Sequence, residues 1–130
     1  MFRRLAAVLT ACTLAAPAAA QDWQYLYSAM LGPQDFTNSR GVRLGDVCDI
    51  VQQDRANYHR FGLRDSSDSG DALFASREAR ARIPQICRLS DGYDYIRRDV
   101  LRGVPRFVAV LGQFDSSGRL VALLVTEGAG

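Results

Sequence analysis

The sequence predicts a small α+β domain. Its expected architecture is an antiparallel sheet of three or four strands, helices on one face, a C-terminal β-hairpin and one disulfide. Three observations lead there. Apolar residues alternate near both ends of the domain and recur at spacings of three, four and seven between them. The element order is strand, helix, loop, one or two helices, then hairpin, which suits a layered α+β packing. Two widely spaced cysteines, Cys48 and Cys87, remain once the N-terminal leader is set aside.

The first strand is "DWQYLYSAML", 22–31. Trp23, Tyr25, Tyr27, Ala29 and Leu31 fall on alternate positions, the period of a strand, and their spacing places the three aromatics on the core side. Gly32-Pro33 ends the strand. "GDVCDIVQQDRANYHRFG" then reads as a helix, with Val47, Ile50, Val51, Tyr58 and Phe61 on one stripe. Gly62 stands where a left-handed cap closes a helix. His59 and Arg60 lie in the last turn, where positive charge meets the negative end of the helix dipole.

"RDSSDSGD", 64–71, is polar and turn-forming, and reads as a solvated Ω-like loop. "SREARARI" forms a short helix with Ser76 as its cap, and Pro84 breaks or restarts it. "DGYDYIRRDVLRG" forms another helix with Tyr93, Ile96, Val100 and Leu101 on one face; a strand is the alternative, because Tyr93 and Tyr95 also alternate. "VPRFVAVLGQF", "DSSGR" and "LVALLVTE" are strand, tight connection and strand.

The first twenty residues read as a cleaved signal peptide: a basic "MFRR", an apolar run, and Ala18-Ala19-Ala20 before Gln21. The remaining 21–130 make one domain. The apolar run is too short to span a bilayer, which takes about 20 apolar residues. The expected location is periplasmic or secreted. A rival reading is a lipoprotein, because "LTAC" resembles a lipobox and would leave Cys12 acylated; only eleven residues would precede that cut.

The chain has 16 basic and 14 acidic residues, and no lysine. Arg3 and Arg4 leave with the leader, so 14 basic residues face 14 acidic ones and nucleic acid is not the expected partner. The absence of lysine excludes Schiff-base and phosphate-loop lysines. Charge is uneven: eight arginines fall between Arg77 and Arg106, against four acids.

Cys48 and Cys87 form an even pair in an exported chain and predict a disulfide. With His59 they supply only three metal ligands without a recognised spacing, so no zinc site is expected. The Asp/Ser/Gly tract fails as a calcium loop. With Gly70 at position six, Leu73 falls at nine and Ser76 replaces the bidentate Glu at twelve. No metal or cofactor is expected.

Two candidate sites remain. Arg97, Arg98, Tyr93 and Tyr95 have the composition of a recognition surface, suited to an envelope protein or an anionic envelope component. His59, the only histidine, and Asp54, placed on the apolar side of its helix, could serve as an acid–base pair. No catalytic motif accompanies them. The expected function is therefore a small exported binding or accessory module. A small hydrolase using His59 with Asp54, and a structural subunit of an envelope assembly, are the alternatives. The last predicts an exposed strand edge or apolar patch.

Overall fold

The computed structural model describes residues 22–129; the leader and Cys12 lie outside them. Strand β1 is Gln24–Leu31, helix α1 is Val47–Ala56, α2 is Arg77–Ala81 and α3 is Ile83–Ile86. Then come β2, Cys87–Leu89; α4, Asp94–Leu101; β3, Arg106–Phe114; and β4, Leu120–Glu127. The strands form one sheet in the order β1-β3-β4-β2. The fold is α+β with a C-terminal strand pair, as the periodicities predict.

One feature of the sheet departs from the expectation. It is mixed, because β2 runs parallel to β4. Three residues carry no alternation to read, and non-local pairing sets their place. Cys87 stands opposite Leu123, on the face that meets the helices. From there it is bonded to Cys48 in the first turn of α1, with the two Cα atoms 5.9 Å apart. The bridge thus ties an edge strand to the helix that crosses the sheet.

The core lies between that face and the helices. Tyr27, Ala29 and Leu31 of β1 meet Val108 and Val110 of β3, then Leu123 and Val125 of β4. Ile50 and Val51 of α1, Ile83 of α3, and Ile96 and Val100 of α4 close over them. Each such fully buried aliphatic contributes about 1.5–3 kcal/mol. The spacing of Ile96 and Val100 makes 94–101 a helix, so the tyrosine alternation there does not signal a strand. Gly112 sits where a methyl group would meet Leu26 and Leu120 at less than 3 Å.

The aromatic alternation in β1 is broken. A register shift between Tyr25 and Tyr27 returns Tyr25 to the opposite face, where it is 60% exposed, while Tyr27 is buried. Only Tyr27 of the three predicted core aromatics joins the core. Trp23 instead lies beside Arg88 on the other face.

Helix α1 begins at Asp46, whose carboxylate accepts from the Cys48 N–H. After Ala56 it widens into a π-helical turn, Asn57–Phe61, closed by Gly62 at φ 67°. An L side chain is disfavoured there, which accounts for glycine. The following 62–76 segment is not a merely solvated loop. It lies against the free edge of β1. Ser69 N–H donates to the Ser28 carbonyl (2.9 Å), Ser28 N–H to Ser69 Oγ (2.8 Å), and Met30 N–H to Asp68 Oδ1 (2.9 Å). Backbone groups that would otherwise template another strand are satisfied within the chain.

Candidate functional site

Below the π turn lies a buried ionic cluster. Asp54 and Arg55 are adjacent in α1, and Asp71 comes from the loop. Arg55 is fully buried; its Nε donates to Asp54 Oδ2 and its Nη1 to Asp71 Oδ2, both at 2.8 Å. The guanidinium is held between the rings of Tyr27 (3.9 Å) and Tyr58 (4.5 Å), a geometry in which a desolvated cation gains about 2 kcal/mol. His59 Nε2 lies 3.0 Å from Asp71 Oδ2.

His59 and Asp54 therefore join one cluster, but no hydrogen bond links them among the described residues. Arg55 and Asp71 stand between them. Arg55 and Asp71 escaped the sequence reading. Arg55 was legible in part, because it falls four residues after Val51 and eight after Val47, within the apolar stripe. Asp71 was not, because a non-local fold brings it there.

Two buried carboxylates face one guanidinium. Burial pushes Asp54 up to about 8, against the pull of Arg55. Burial also acts on Asp71, but hydrogen bonds from Arg55, His59 and the Phe74 N–H outweigh it and hold Asp71 below the ordinary carboxylate range. Charge balance favours the same division, since one ionised carboxylate neutralises Arg55 and a second would be buried in excess. Asp35 forms a neighbouring cluster. It accepts from Gly32 N–H and Asn57 Nδ2, both at 2.9 Å, yet burial raises it to about 6. These groups join a 3-10 turn at Pro33–Asp35, the π turn and the 62–76 loop. Their arrangement is a latch, and neither surface cavity described below is lined by His59.

The calcium-like tract is occupied in the same way. Asp68 accepts from Met30 N–H and Asp65 N–H, and Asp71 from Phe74 N–H. Among the described residues, no group of three or more His, Cys, Asp and Glu side chains is placed to hold a metal ion.

The predicted Arg/Tyr surface lies on and beside α4. Tyr93 and Tyr95 are half-buried, with ring centroids 6.1 Å apart. Arg97 pairs with Asp94 at 3.0 Å and Arg98 with Asp99 at 3.2 Å. Asp99 also takes Arg106, and these arginines, Arg106 first, hold its carboxyl below the usual range. The four residues are brought near one another, but Arg97 and Arg98 already have local counter-charges.

A different set of arginines has none. A cavity of about 300 Å³ between α1 and α2 is lined by Gln52, Gln53, Ala56, Arg60, Arg77, Arg80 and Ala81. Arg80 is 8% exposed. Its Nη1 donates to the Phe74 and Ala75 carbonyls at 3.0 and 2.9 Å, which fixes the guanidinium. Gln52 Nε2 donates to the Arg80 carbonyl at 3.2 Å, holding α2 against α1. No ion pair involves Arg60, Arg77 or Arg80 among the described residues. Arg77 and Arg80 belong to the arginine-rich segment of the sequence. Arg60 joins them because the π turn carries it to the same rim.

A second cavity, of about 290 Å³, adjoins the first. Gln34, Thr37, Asn38, Ser39, Gln53, Asn57, Phe61 and Leu63 line it, so Gln53 is common to both.

Compared with known proteins, the chain matches no family model, no curated protein and no solved structure. The functional reading therefore rests on the geometry of the arginine-lined cavity.

Proposed function

We propose that the chain is a small exported binding module, and that it holds an oxyanion-bearing ligand in the cavity between α1 and α2. The observation that carries this reading is Arg80. Arg80 is 8% exposed, its Nη1 is fixed by two carbonyls and no carboxylate pairs with it, so its remaining N–H groups are free to receive an anion or water on the cavity wall. Arg60 and Arg77 on the same wall add charge, and arginine forks match carboxylate and phosphate oxygens. The volume lies at the lower end of the range for small-ligand sites.

Export is supported by the basic and apolar start of the sequence and by the disulfide, a bond that persists in oxidising compartments. The proposed setting is periplasmic or extracellular, with an envelope component as the ligand's source. No helix among the described residues is long and apolar enough to cross a membrane.

The test is thermal unfolding with sodium phosphate and sodium acetate at constant ionic strength, beside an Arg60→Ala/Arg77→Ala variant. A ligand at ten times its Kd stabilises by about 1.4 kcal/mol, roughly 5 °C or more for a domain of this size. The expected result is saturable stabilisation by one or both anions, lost in the variant. Equal responses of both proteins would overturn the site.

A further inference from the structure

The two cavities meet at one side chain, and their chemistries differ. The first offers guanidiniums and the amides of Gln52 and Gln53, with nothing apolar larger than Ala56 and Ala81. The second is edged by Phe61, 44% exposed, and Leu63, 51% exposed. Hydrogen-bonding groups line the same cavity. The Thr37 and Ser39 hydroxyls and the Asn38 Nδ2 make no side-chain hydrogen bond among the described residues. Asn38 Oδ1 is already taken by the Arg40 and Val42 N–H groups.

The walls between the cavities are rigid. Gln53 Nε2 donates to Asn57 Oδ1 at 2.9 Å, and Asn57 Nδ2 donates to the Gln34 carbonyl and to buried Asp35. Phe61 and Leu63 flank Gly62, whose left-handed backbone ends the π turn. The Leu63 N–H donates back to the Asn57 carbonyl at 2.8 Å. The apolar rim is thus held beside the arginine pocket by the same turn that brings Arg60 to it.

Resting on the oxyanion reading above, we infer that the two cavities form one bipartite site for the C-terminal end of a peptide. The terminal carboxylate lies among Arg60, Arg77 and Arg80. The adjoining apolar side chain lies against Phe61 and Leu63, and peptide amides meet Thr37, Asn38 and Ser39. Three features favour this occupant. An exposed aromatic and an exposed aliphatic residue sit beside unpartnered polar groups, which suits alternating side chain and amide and not a bare acyl chain. The two cavities adjoin at Gln53, so a single short extended chain can reach both. Capture of a terminal carboxylate by fixed donors is an established mode of peptide recognition.

The experiment measures binding by calorimetry and by backbone NMR shifts, using five probes. These are N-acetyl-Ala-Ala-Leu with a free carboxylate, its C-terminal amide, N-acetyl-Ala-Asp-Leu amide, dihexanoyl phosphatidic acid and inorganic phosphate. The free acid should bind at least tenfold tighter than its amide and perturb both cavities. Leu63→Ala should weaken the free acid about fivefold while leaving phosphate binding unchanged. Leu63 is exposed at the rim, so this variant keeps the fold. Arg77→Ala should weaken peptide and phosphate together. Several results would overturn the peptide inference. They are equal binding of acid and amide, preference for the Asp-containing amide, tighter binding of the phospholipid, or phosphate shifts at Arg80 with no peptide response. In the last case the oxyanion reading would survive. Absence of any shift at Arg80 with every probe would overturn both.

Discussion

Asp54→Asn and Asp71→Asn each replace one carboxyl of the same buried cluster, and they should have different consequences. Asp54 rises to about 8 in the fold, so at pH 7 it is largely protonated and Asn replaces a mostly neutral group. Its burial also costs stability, because the unfolded chain ionises it freely. Asp54→Asn should therefore leave stability unchanged within about 1 kcal/mol, or raise it. Asp71 is the ionised partner. It receives Arg55 and His59 on Oδ2 and the Phe74 N–H on Oδ1. Its loss forces the Arg55 charge onto Asp54, which burial disfavours. Breaking a buried pair from one side costs about 3–5 kcal/mol. Urea unfolding followed by tryptophan fluorescence and circular dichroism measures both variants. With m near 1.5 kcal/mol/M, a loss of 3 kcal/mol lowers the Asp71→Asn midpoint by about 2 M. Hydrogen exchange should also speed at Ser28, Met30 and Ser69, whose amides join the latch to β1 and its loop. Equal destabilisation by the two substitutions would refute the assigned charge division.

Two further outcomes follow from the same structure. Asp35 and Asp54 have folded values raised from 3.8 to about 6 and about 8, so their contributions are complete below about pH 4 and are lost as pH rises through those values. Asp71 is lowered, and its contribution is lost as pH falls through its folded value. Stability should thus be greatest near about pH 4–5, and the Asp35 rise alone corresponds to roughly 3 kcal/mol lost by neutral pH; thermal melts between pH 3 and 9 check this, and a curve that rises steadily from pH 5 to 8 would contradict it. Cys48 and Cys87 are 39 residues apart, a closure worth about 4 kcal/mol in the chain-entropy model. Cys48→Ala/Cys87→Ala should lower stability by that order in urea, and a loss below about 1 kcal/mol would show that the bridge constrains little.

Much of this fold was legible because local chemistry and burial agree. Leu120 to Val125 are apolar and Asp115 to Arg119 form a tight connection, so the hairpin could be read directly. Ser76 and Gly62 mark helix ends because capping and left-handed backbone are local demands. The β1 register shift was hidden, since an inserted residue reverses the face without altering composition. The parallel pairing of Cys87–Leu89 was hidden for another reason: three residues have no period, and their partners lie far along the chain. The candidate site divides similarly. Arg77 and Arg80 stand in a visibly basic segment, but only the packed structure separates arginines with counter-charges, Arg97 and Arg98, from those without. Arg60 appeared as a helix-end charge, and the π turn that re-aims it leaves no signature in a single sequence.

The most direct test of the oxyanion site is the Arg80 side-chain Nε–H signal in a nitrogen-edited NMR titration with phosphate and acetate at fixed pH and ionic strength. The account predicts a saturable shift at Arg80, with backbone shifts at Gln52, Gln53, Arg60 and Arg77, and none at Arg97 or Arg98. A linear, unsaturated response at Arg80, or saturable shifts confined to α4, would contradict it.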